Sequence, residues 1–437
     1  MKTNDNLSEE QKAAITCIDG EVMVLAGPGS GKTFTITRRI QNMINSGINP
    51  ENILVITFTK AAADEMKERF IKLMDDSFIN VNFGTFHAIY YGILKEYGNR
   101  AYTIITEKEK KNYMKIVMDN LPTGFSNEIG DLPDNISEEI LCEISAVKNE
   151  GLRPEDYKTN YISGEAFSYI YHEYEKIMKE NNRIDFDDMV SGCYNLLLNN
   201  EEVRRKVQSK YKYILIDEFQ DINLMQYKVI KTIAEPDNNL FIVGDDDQSI
   251  YGFRGSKPEI MLNFTNEYIN AKTILLAVNY RSNSSIVSLA SQFIANNKVR
   301  YEKEIKAHNT NTKPVIMESY SEKNLQYKNI VKKIQTLIRK DSPGSIAVIY
   351  RTNKGAIRLT ALLKENNIPY AFKEKHDNPF NTPYIQDVLA ILNFSAGDCT
   401  RKNFLRFMNK PVRYISRNLL QNSSVDIPGP DLRNYKH

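Results

Sequence analysis

The segment Ala26-Gly-Pro-Gly-Ser-Gly-Lys-Thr33 constrains the fold of this chain more than any other stretch of the sequence. It follows an apolar run at residues 21–26 and precedes apolar residues at helical spacing. Except for Ala26 in place of the first glycine, it fits the phosphate-loop pattern G-x-x-x-x-G-K-[ST] in its required setting between a strand and a helix. Glycines let backbone N–H groups turn toward phosphate oxygens, and a helix N-terminus adds positive potential. We therefore predict an α/β domain with a nucleoside triphosphate site.

The residues expected to bind the nucleotide in this loop are Ala26, Gly27, Pro28, Gly29, Ser30, Gly31, Lys32 and Thr33. Lys32 can reach the β- and γ-phosphates, and the Thr33 hydroxyl can hold Mg²⁺. A second part of the site is predicted where the apolar run at residues 211–217 ends in Asp217-Glu218. Asp217 would hold the metal, and Glu218 would orient or deprotonate the attacking water. The alternatives are a glycine turn that only begins a helix and a solvated acidic strand end.

Short apolar runs alternate with amphipathic helical patterns, which is typical of a parallel sheet covered by helices. The predicted strands of the first α/β domain are residues 21–26, 52–58, 211–217, 240–244 and 273–277. Residues 88–183 interrupt this rhythm and predict a helical insertion, with a turn-rich patch at residues 121–133. A second α/β unit is predicted after Asn279, with strands at residues 314–319 and 345–351 and helices at residues 355–366 and 385–394.

Composition adds a few limits. A length of 437 residues favours two or three domains. The net charge is only +2, so a nucleic-acid surface would have to be a local groove. The four cysteines form no CxxC pair, which argues against a zinc site or a disulfide framework and favours a reducing compartment. The polar N-terminus and the lack of an apolar run of roughly 18 residues predict a cytoplasmic protein that does not bind membranes.

Seven motifs in the same order give the chain a resemblance to the UvrD/Rep/PcrA group of superfamily 1 DNA helicases. They are residues 7–11 (LSEEQ), 57–66 (TFTKAAADEM), 84–87 (GTFH), 185–188 (DFDD), 217–221 (DEFQD), 244–255 (GDDDQSIYGFRG) and 279–282 (NYRS). The resemblance extends from residue 7 to about residue 420. Chance does not account for seven motifs in family order.

The resemblance implies a P-loop NTPase of the α/β class with two RecA-like domains. Residues 1–87 and 184–275 would form the first, ATP-binding domain, and residues 88–183 its helical insertion. Residues 276–395 would form part of the second domain, and residues 396–437 would begin a second helical insertion.

The resemblance also assigns roles around the nucleotide. Gln11 would read the adenine edge, Tyr280 would pack on the base, and Gln248 would sense the γ-phosphate and link hydrolysis to the DNA groove. Arg281 would reach the γ-phosphate from the second domain, so that ATP lies between the two domains. The implied catalytic set is Lys32, Asp217, Glu218, Gln248 and Arg281, with ATP and Mg²⁺ as cofactors. Gln11 has the alternative role of a polar residue at a helix start, and Tyr280 that of a core aromatic.

Family positions that contact single-stranded DNA are occupied here by Phe58, Lys60, Phe86, His87, Tyr251, Phe253 and Arg254. Aromatic rings stack on bases without reading sequence, at roughly 1–3 kcal/mol per base. Tyr251 and Phe253 lie in a polar segment and suit this role, whereas plain packing explains Phe86 best. The chain departs from the family pattern at Phe253, where the family often has tryptophan, and at Phe34, where it often has arginine.

Two later family motifs, one of them carrying an arginine that completes the γ-phosphate cage, have no counterpart in this sequence. Such an arginine is worth on the order of 10³–10⁵ in rate, so we expect Mg-ATP binding with slow hydrolysis. The expected function is that of an ATP-dependent 3′ to 5′ helicase or translocase on single-stranded or partly duplex DNA. In one version a protein partner supplies the missing motor elements. The alternative is an ATP-gated single-strand-binding protein or a remnant without motor activity. The motifs argue against a P-loop enzyme that acts on a small molecule.

Overall fold

The computed structural model describes residues 7–74, 79–98, 101–130, 136–340, 346–372, 382–411, 413 and 424–425. These residues form two compact units, Met1–Val315 and Ile316–His437.

The first unit is built on a parallel sheet. Its strands are β1 (Val22–Ala26), β2 (Ile53–Thr57), β3 (Asn82–Thr85), β6 (Tyr213–Ile216), β7 (Leu240–Gly244) and β8 (Lys272–Leu276), and two short pairs add β4 (Thr103–Ile104) with β5 (Arg183–Ile184) and β9 (Val278–Asn283) with β10 (Lys306–Asn309). The six strands follow the order β3-β2-β6-β7-β1-β8, and every neighbouring pair is parallel. All five predicted strands of the first domain are confirmed within two residues. β3 was not predicted.

Helices cover the sheet and form the insertion. They are α1 (Glu9–Thr16), α2 (Lys32–Asn45), α3 (Lys60–Met74), α4 (Phe86–Tyr97), α5 (Glu107–Asp119), α6 (Thr123–Gly130), α7 (Ile136–Glu150), α8 (Gly164–Glu180), α9 (Phe186–Asn199), α10 (Glu201–Lys210), α11 (Leu224–Ala234), α12 (Pro258–Leu262), α13 (Phe264–Glu267) and α14 (Ser284–Ile294). Short 3₁₀ turns lie at Pro50–Asn52, Pro154–Asp156, Phe219–Asp221, Asp246–Gln248 and Gly252–Arg254.

The sheet is buried on both faces, as expected for parallel strands joined through helices. Every residue of β1, β2 and β7 is buried. Side chains of β1 alternate between two apolar clusters: Met23 and Leu25 face the cluster that includes Phe86 and Phe219, while Val24 faces the cluster around Ile36. The alternation fixes the register, because a slip by one residue would exchange the two faces.

The insertion has an apolar core of its own, formed by α5, α7 and α8 around Met114, Ile140 and Phe167. The prediction of a helical insertion is therefore confirmed. The turn predicted at residues 121–133 is wrong for its described residues, because α6 occupies most of them. The N–H of Phe125 donates to the carbonyl of Pro122 and starts the helix, and the Phe125 ring packs on the insertion's core. Residues 131–133 lie outside the described part.

In the second unit the described elements are helices, namely α15 (Lys323–Lys340), α16 (Asn353–Glu365), α17 (Pro383–Ser395) and α18 (Arg401–Phe407). The two predicted helices are confirmed by α16 and α17. The two predicted strands are wrong over residues 314–319 and 346–351, which carry no strand. A strand is defined by its ladder of hydrogen bonds to a neighbour, and an apolar pattern supplies no such neighbour. Within the described ranges, no helix has both the length and the apolar character to cross a membrane.

Arg39 anchors α1 to α2 from inside the first unit, where it is 1% exposed. Its guanidinium donates to the carbonyl oxygens of Ala14 (2.9 Å), Ile18 (2.8 Å) and Cys17, and it lies 4.1 Å from the centre of the Phe241 ring. The end of α1, which lacks basic residues in its last turn, thus receives its donors from a side chain.

We expect Arg39→Met to lower the free energy of unfolding by about 3 kcal/mol, because one buried and two partly buried carbonyl groups lose their donor. Denaturant unfolding followed by circular dichroism measures this change. Arg38→Met is the matched control, since Arg38 is half-buried and its contacts are with Gln41 and Phe34. It should change stability by less than about 0.5 kcal/mol. Equal effects of the two variants would contradict the anchoring role.

Candidate nucleotide site and adjoining aromatic row

The loop between β1 and α2 has a backbone that only glycine adopts readily. Gly29 and Gly31 have φ angles of 66° and 87°. A Cβ on Gly29 would lie 2.7 Å from the Cβ of Arg281, and one on Gly31 would lie 3.2 Å from Nε2 of Gln11. No side chain caps α2, whose N-cap is Gly31, so the first N–H groups of the helix remain available to an anion.

Lys32 meets Glu218 across this edge of the sheet, with 2.7 Å between Nζ and Oε2. Glu218 follows β6 and has a left-handed backbone with φ of 53°. This conformation, uncommon for a residue with a Cβ, marks a functional turn in many proteins. The structure thus brings together the predicted phosphate-binding lysine and the predicted general base.

Asp217 and Glu218 differ in their pKa although they are neighbours. Burial raises the pKa of Asp217 from 3.8 to about 6, and the negative charge of Glu218 adds to the rise. Burial also raises the pKa of Glu218, but Lys32, a hydrogen bond from Gln220 and the charge of Arg281 bring it below its usual value. Asp217 is therefore protonated at a higher pH than Glu218.

Residues 279–282 clamp onto the phosphate loop. Asn279 is 3% exposed, and its Nδ2 donates to the carbonyl of Pro28 at 2.6 Å. Its Oδ1 accepts from the N–H groups of Arg281 (2.9 Å) and Ser282 (2.8 Å), and the N–H of Tyr280 donates to the carbonyl of Gly29 at 2.9 Å. The loop and Arg281 belong to the same compact unit. Tyr280 is 42% exposed and packs against His308, which differs from the core-aromatic alternative.

Gln11 serves two contacts at once. It forms a capping box with Ser8 at the start of α1, and its Nε2 donates to the carbonyl of Ser30 in the phosphate loop at 3.3 Å. The helix-start interpretation and a place beside the nucleotide site are thus compatible.

A chain of hydrogen bonds links Gln248 to Glu218, the ion-pair partner of Lys32. Gln248 Nε2 donates to Asp245 Oδ2 at 2.6 Å, and the N–H of Asp245 donates to Gln220 Oε1 at 3.0 Å. Gln220 Nε2 donates to Glu218 Oε2, also at 3.0 Å. Gln220 and Asp245 had no predicted role, although both lie inside the motifs. Lys303 and Arg300, which contact the same loop and lie outside all motifs, were not predicted.

Three predicted DNA-contacting rings form one row. The centres of Phe58 and Tyr251 are 4.8 Å apart, those of Tyr251 and Phe253 are 6.1 Å apart, and Phe253 is 80% exposed. We call Phe58, Tyr251 and Phe253 the aromatic row. Lys60 is exposed at the start of α3.

The other predicted DNA-contacting residues are placed differently. Phe86 is 2% exposed and belongs to the apolar core, in agreement with the plain-packing interpretation. The rings of His87 and Phe186 pack edge to face, with their centres 5.3 Å apart. Burial lowers the pKa of His87, against the opposing charges of Asp187 and Asp185. The Arg254 side chain lies outside the described residues.

The donors at this edge suit a magnesium triphosphate. Lys32 and the N–H groups of α2 favour anions, and the oxygens of Thr33 and Asp217 are of the kind that Mg²⁺ prefers. Ser30 Oγ in the loop is buried and has no hydrogen-bond partner in the structure. Among the described residues no group of three His, Cys, Asp or Glu side chains is arranged to hold a metal ion.

We expect Asp217→Asn to stabilise the nucleotide-free protein at pH 8 and to leave its stability unchanged near pH 4. Because folding raises the pKa of Asp217 from 3.8 to about 6, the ionised form carries a penalty of about 3 kcal/mol that is complete above pH 6 and absent below pH 4. Denaturant unfolding at both pH values measures it. Asp64→Asn, at an exposed position of α3, is the control. A stabilisation by Asp217→Asn of the same size at both pH values would refute the explanation.

Comparison with known proteins identifies the family. The UvrD/REP helicase N-terminal domain matches residues 7–269, and the UvrD-like helicase C-terminal domain matches residues 274–426. YjcD of Bacillus subtilis (strain 168) is 36% identical over 404 residues, which cover 90% of this chain and 52% of YjcD. The ATP-dependent DNA helicase PcrA of Staphylococcus aureus (strain Mu50) is 32% identical over 420 residues, which cover 94% of this chain and 56% of PcrA.

The chain thus spans about half the length of the curated relatives it matches. The family match runs through both the phosphate loop and residues 279–282, which the structure places in contact. The resemblance inferred from the seven motifs and the expected α/β fold are both confirmed. The chain is a member of the UvrD/REP helicase family.

Proposed function

We propose that this chain binds Mg-ATP at the edge formed by Lys32, Asp217 and Glu218 and uses its hydrolysis to move 3′ to 5′ along single-stranded DNA. The observation that carries the proposal is the continuity of one loop. Gln248 is linked by hydrogen bonds to Glu218, and Tyr251, three residues later, stacks on Phe58 in the aromatic row. A shift of Gln248 at the γ-phosphate end of this loop would therefore displace Tyr251 in the aromatic row.

Each side chain has a distinct part in the proposed hydrolysis. Lys32 binds the β- and γ-phosphates and in doing so gives up its contact with Glu218. The loss of the Lys32 contact removes one cause that lowers the pKa of Glu218, so Glu218 becomes a stronger base, orients the attacking water and accepts its proton. Arg281, which is exposed and close enough to lower that pKa, stabilises charge on the γ-phosphate. Mg²⁺, held by Thr33 and Asp217, would neutralise charge on the phosphate oxygens.

Two residues beside the phosphate loop would select ATP over other nucleotides. Gln11 reaches the loop carbonyl of Ser30 and would read the adenine edge, and the exposed ring of Tyr280 would pack on the base. Both roles come from the family pattern, and the contacts of the two residues with the loop support them.

The aromatic row supplies the proposed DNA contact. Phe253, 80% exposed at one end of the row, offers a ring on which a base can stack, and stacking does not depend on sequence. The exposed amine of Lys60 is available to a backbone phosphate. A net charge of +2 fits a contact restricted to one groove. Partly duplex DNA and a protein that supplies further motor elements are the proposed partners.

We expect Lys32→Ala to weaken ATP binding about 100-fold, because two charge-assisted contacts to phosphate are lost. Titration with a fluorescent ATP analogue measures binding, and phosphate release with and without single-stranded DNA measures turnover. Lys12→Ala, at an exposed position of α1, is the control and should bind as the wild type does. Wild-type protein without measurable ATP binding would overturn the proposal. ATP binding without DNA-stimulated turnover would favour an ATP-gated single-strand-binding protein.

We expect Phe253→Ala to weaken binding of an oligothymidylate about tenfold, which corresponds to the loss of one stacked base. Fluorescence anisotropy measures the affinity, and ATP affinity without DNA should not change. Phe293→Ala removes a ring that is 74% exposed on α14, outside the aromatic row, and serves as the control. Equal losses of oligothymidylate affinity in both variants would show that any exposed ring contributes to DNA binding, whether or not it belongs to the aromatic row.

A further inference from the structure

Lys303 lies outside all seven motifs, in the segment between α14 and β10, and is the cation at the centre of a buried charge cluster. Its side chain is 1% exposed, and its Nζ contacts Asp245 Oδ1 at 2.6 Å, Asp246 Oδ1, and Asp247 Oδ2 at 3.0 Å. Arg300 adds two parallel hydrogen bonds to Asp247, at 2.7 and 2.6 Å. The loop after β7 is thus held to this segment by two cations.

The cluster is held together by charge balance. Three successive carboxylates, with Asp245 and Asp246 1% and 2% exposed, repel one another where water cannot screen them. Stability alone gives a poor account of such an arrangement, since apolar residues of similar size often stabilise a protein as well or better. In some proteins buried pairs of this kind instead fix the geometry of the groups bonded to them.

Asp245 links the charge cluster to the nucleotide site through hydrogen bonds. Its other oxygen, Oδ2, accepts from Gln248, while its N–H fixes Gln220, which in turn donates to the partner of Lys32. A cavity of about 420 Å³ is lined by Lys303, Gln248, Asp245 and Asn279 together with Pro28 of the phosphate loop. Lys303 and the phosphate loop therefore border the same space.

We propose that Lys303 is a positioning residue for recognition of the γ-phosphate, acting through Asp245 on Gln248 and Gln220. The inference rests on the proposed function, because it assumes that ATP binds at the phosphate loop. Lys303 itself does not touch the nucleotide. ADP, which lacks the γ-phosphate, is held by the loop and should not depend on Lys303.

The test compares affinities for ATP and ADP, each with Mg²⁺, by competition against a fluorescent nucleotide. We expect Lys303→Met to reduce the preference for ATP over ADP about tenfold while ADP affinity stays within about twofold, a change of the size of one charge-assisted hydrogen bond. Lys303→Arg keeps the charge and should restore part of the preference. Lys306→Met, three residues away at a position 69% exposed, is the control and should keep the wild-type ratio.

Two further variants separate positioning from general stability. Gln248→Ala should lose the same preference, and Lys303→Met combined with Gln248→Ala should lose little more, because both act in one line. If Lys303→Met does not fold, Lys303→Met with Asp246→Asn removes one charge of each sign and should fold with the same loss of preference. Equal weakening of ATP and ADP binding, or a wild-type ratio in Lys303→Met, would overturn the inference. A wild-type chain that does not bind ATP would overturn the proposed function itself.

Discussion

The contact between Lys32 and Glu218 organises the rest of this edge, because it spans a strand. Lys32 follows β1 and Glu218 follows β6, and β7 lies between those two strands. Neighbouring strands lie about 4.8 Å apart, so the pair bridges roughly 10 Å. A long lysine side chain and a left-handed backbone at Glu218 make that reach possible. Asp245 follows β7 and therefore lies between Lys32 and Glu218. Its N–H donates to Gln220 Oε1 there.

The same edge costs the molecule stability, which the two apolar clusters offset. Asp217 is ionised against its surroundings at neutral pH, Glu218 has a strained backbone, and three aspartates share one buried corner. All five residues of each of β1, β2 and β7 are buried, and their packing on both faces holds the strand ends in place. Strained and charged groups persist where the surrounding structure determines their position, and such groups concentrate at functional sites.

The sequence predicted those parts of the fold whose signals are local. Buried parallel strands are apolar runs, so the five strands of the first domain could be located, and the motifs placed Lys32, Asp217 and Gln248 at their ends. β3 was not predicted because its residues, Asn82–Thr85, are half-buried and contain no apolar run. The strands expected at residues 314–319 and 345–351 are absent over their described residues, because strand pairing is not a local property. Lys303 pairs with Asp245 across 58 residues, and nothing in its own segment marks the partner.

The helical insertion contacts the segments that follow the nucleotide site and the aromatic row. Asn149 Oδ1, at the end of α7, accepts from Asn223 at 2.7 Å, two residues after the acidic 3₁₀ turn. The next residue, Glu150, pairs with Lys257 at 2.8 Å, shortly after the aromatic row. Lys148, 3% exposed among Glu175, Asp185 and Asp188, fixes the same helix end to α8 and α9. The last turn of α7 therefore joins the segment that follows Glu218 to the segment that follows Phe253.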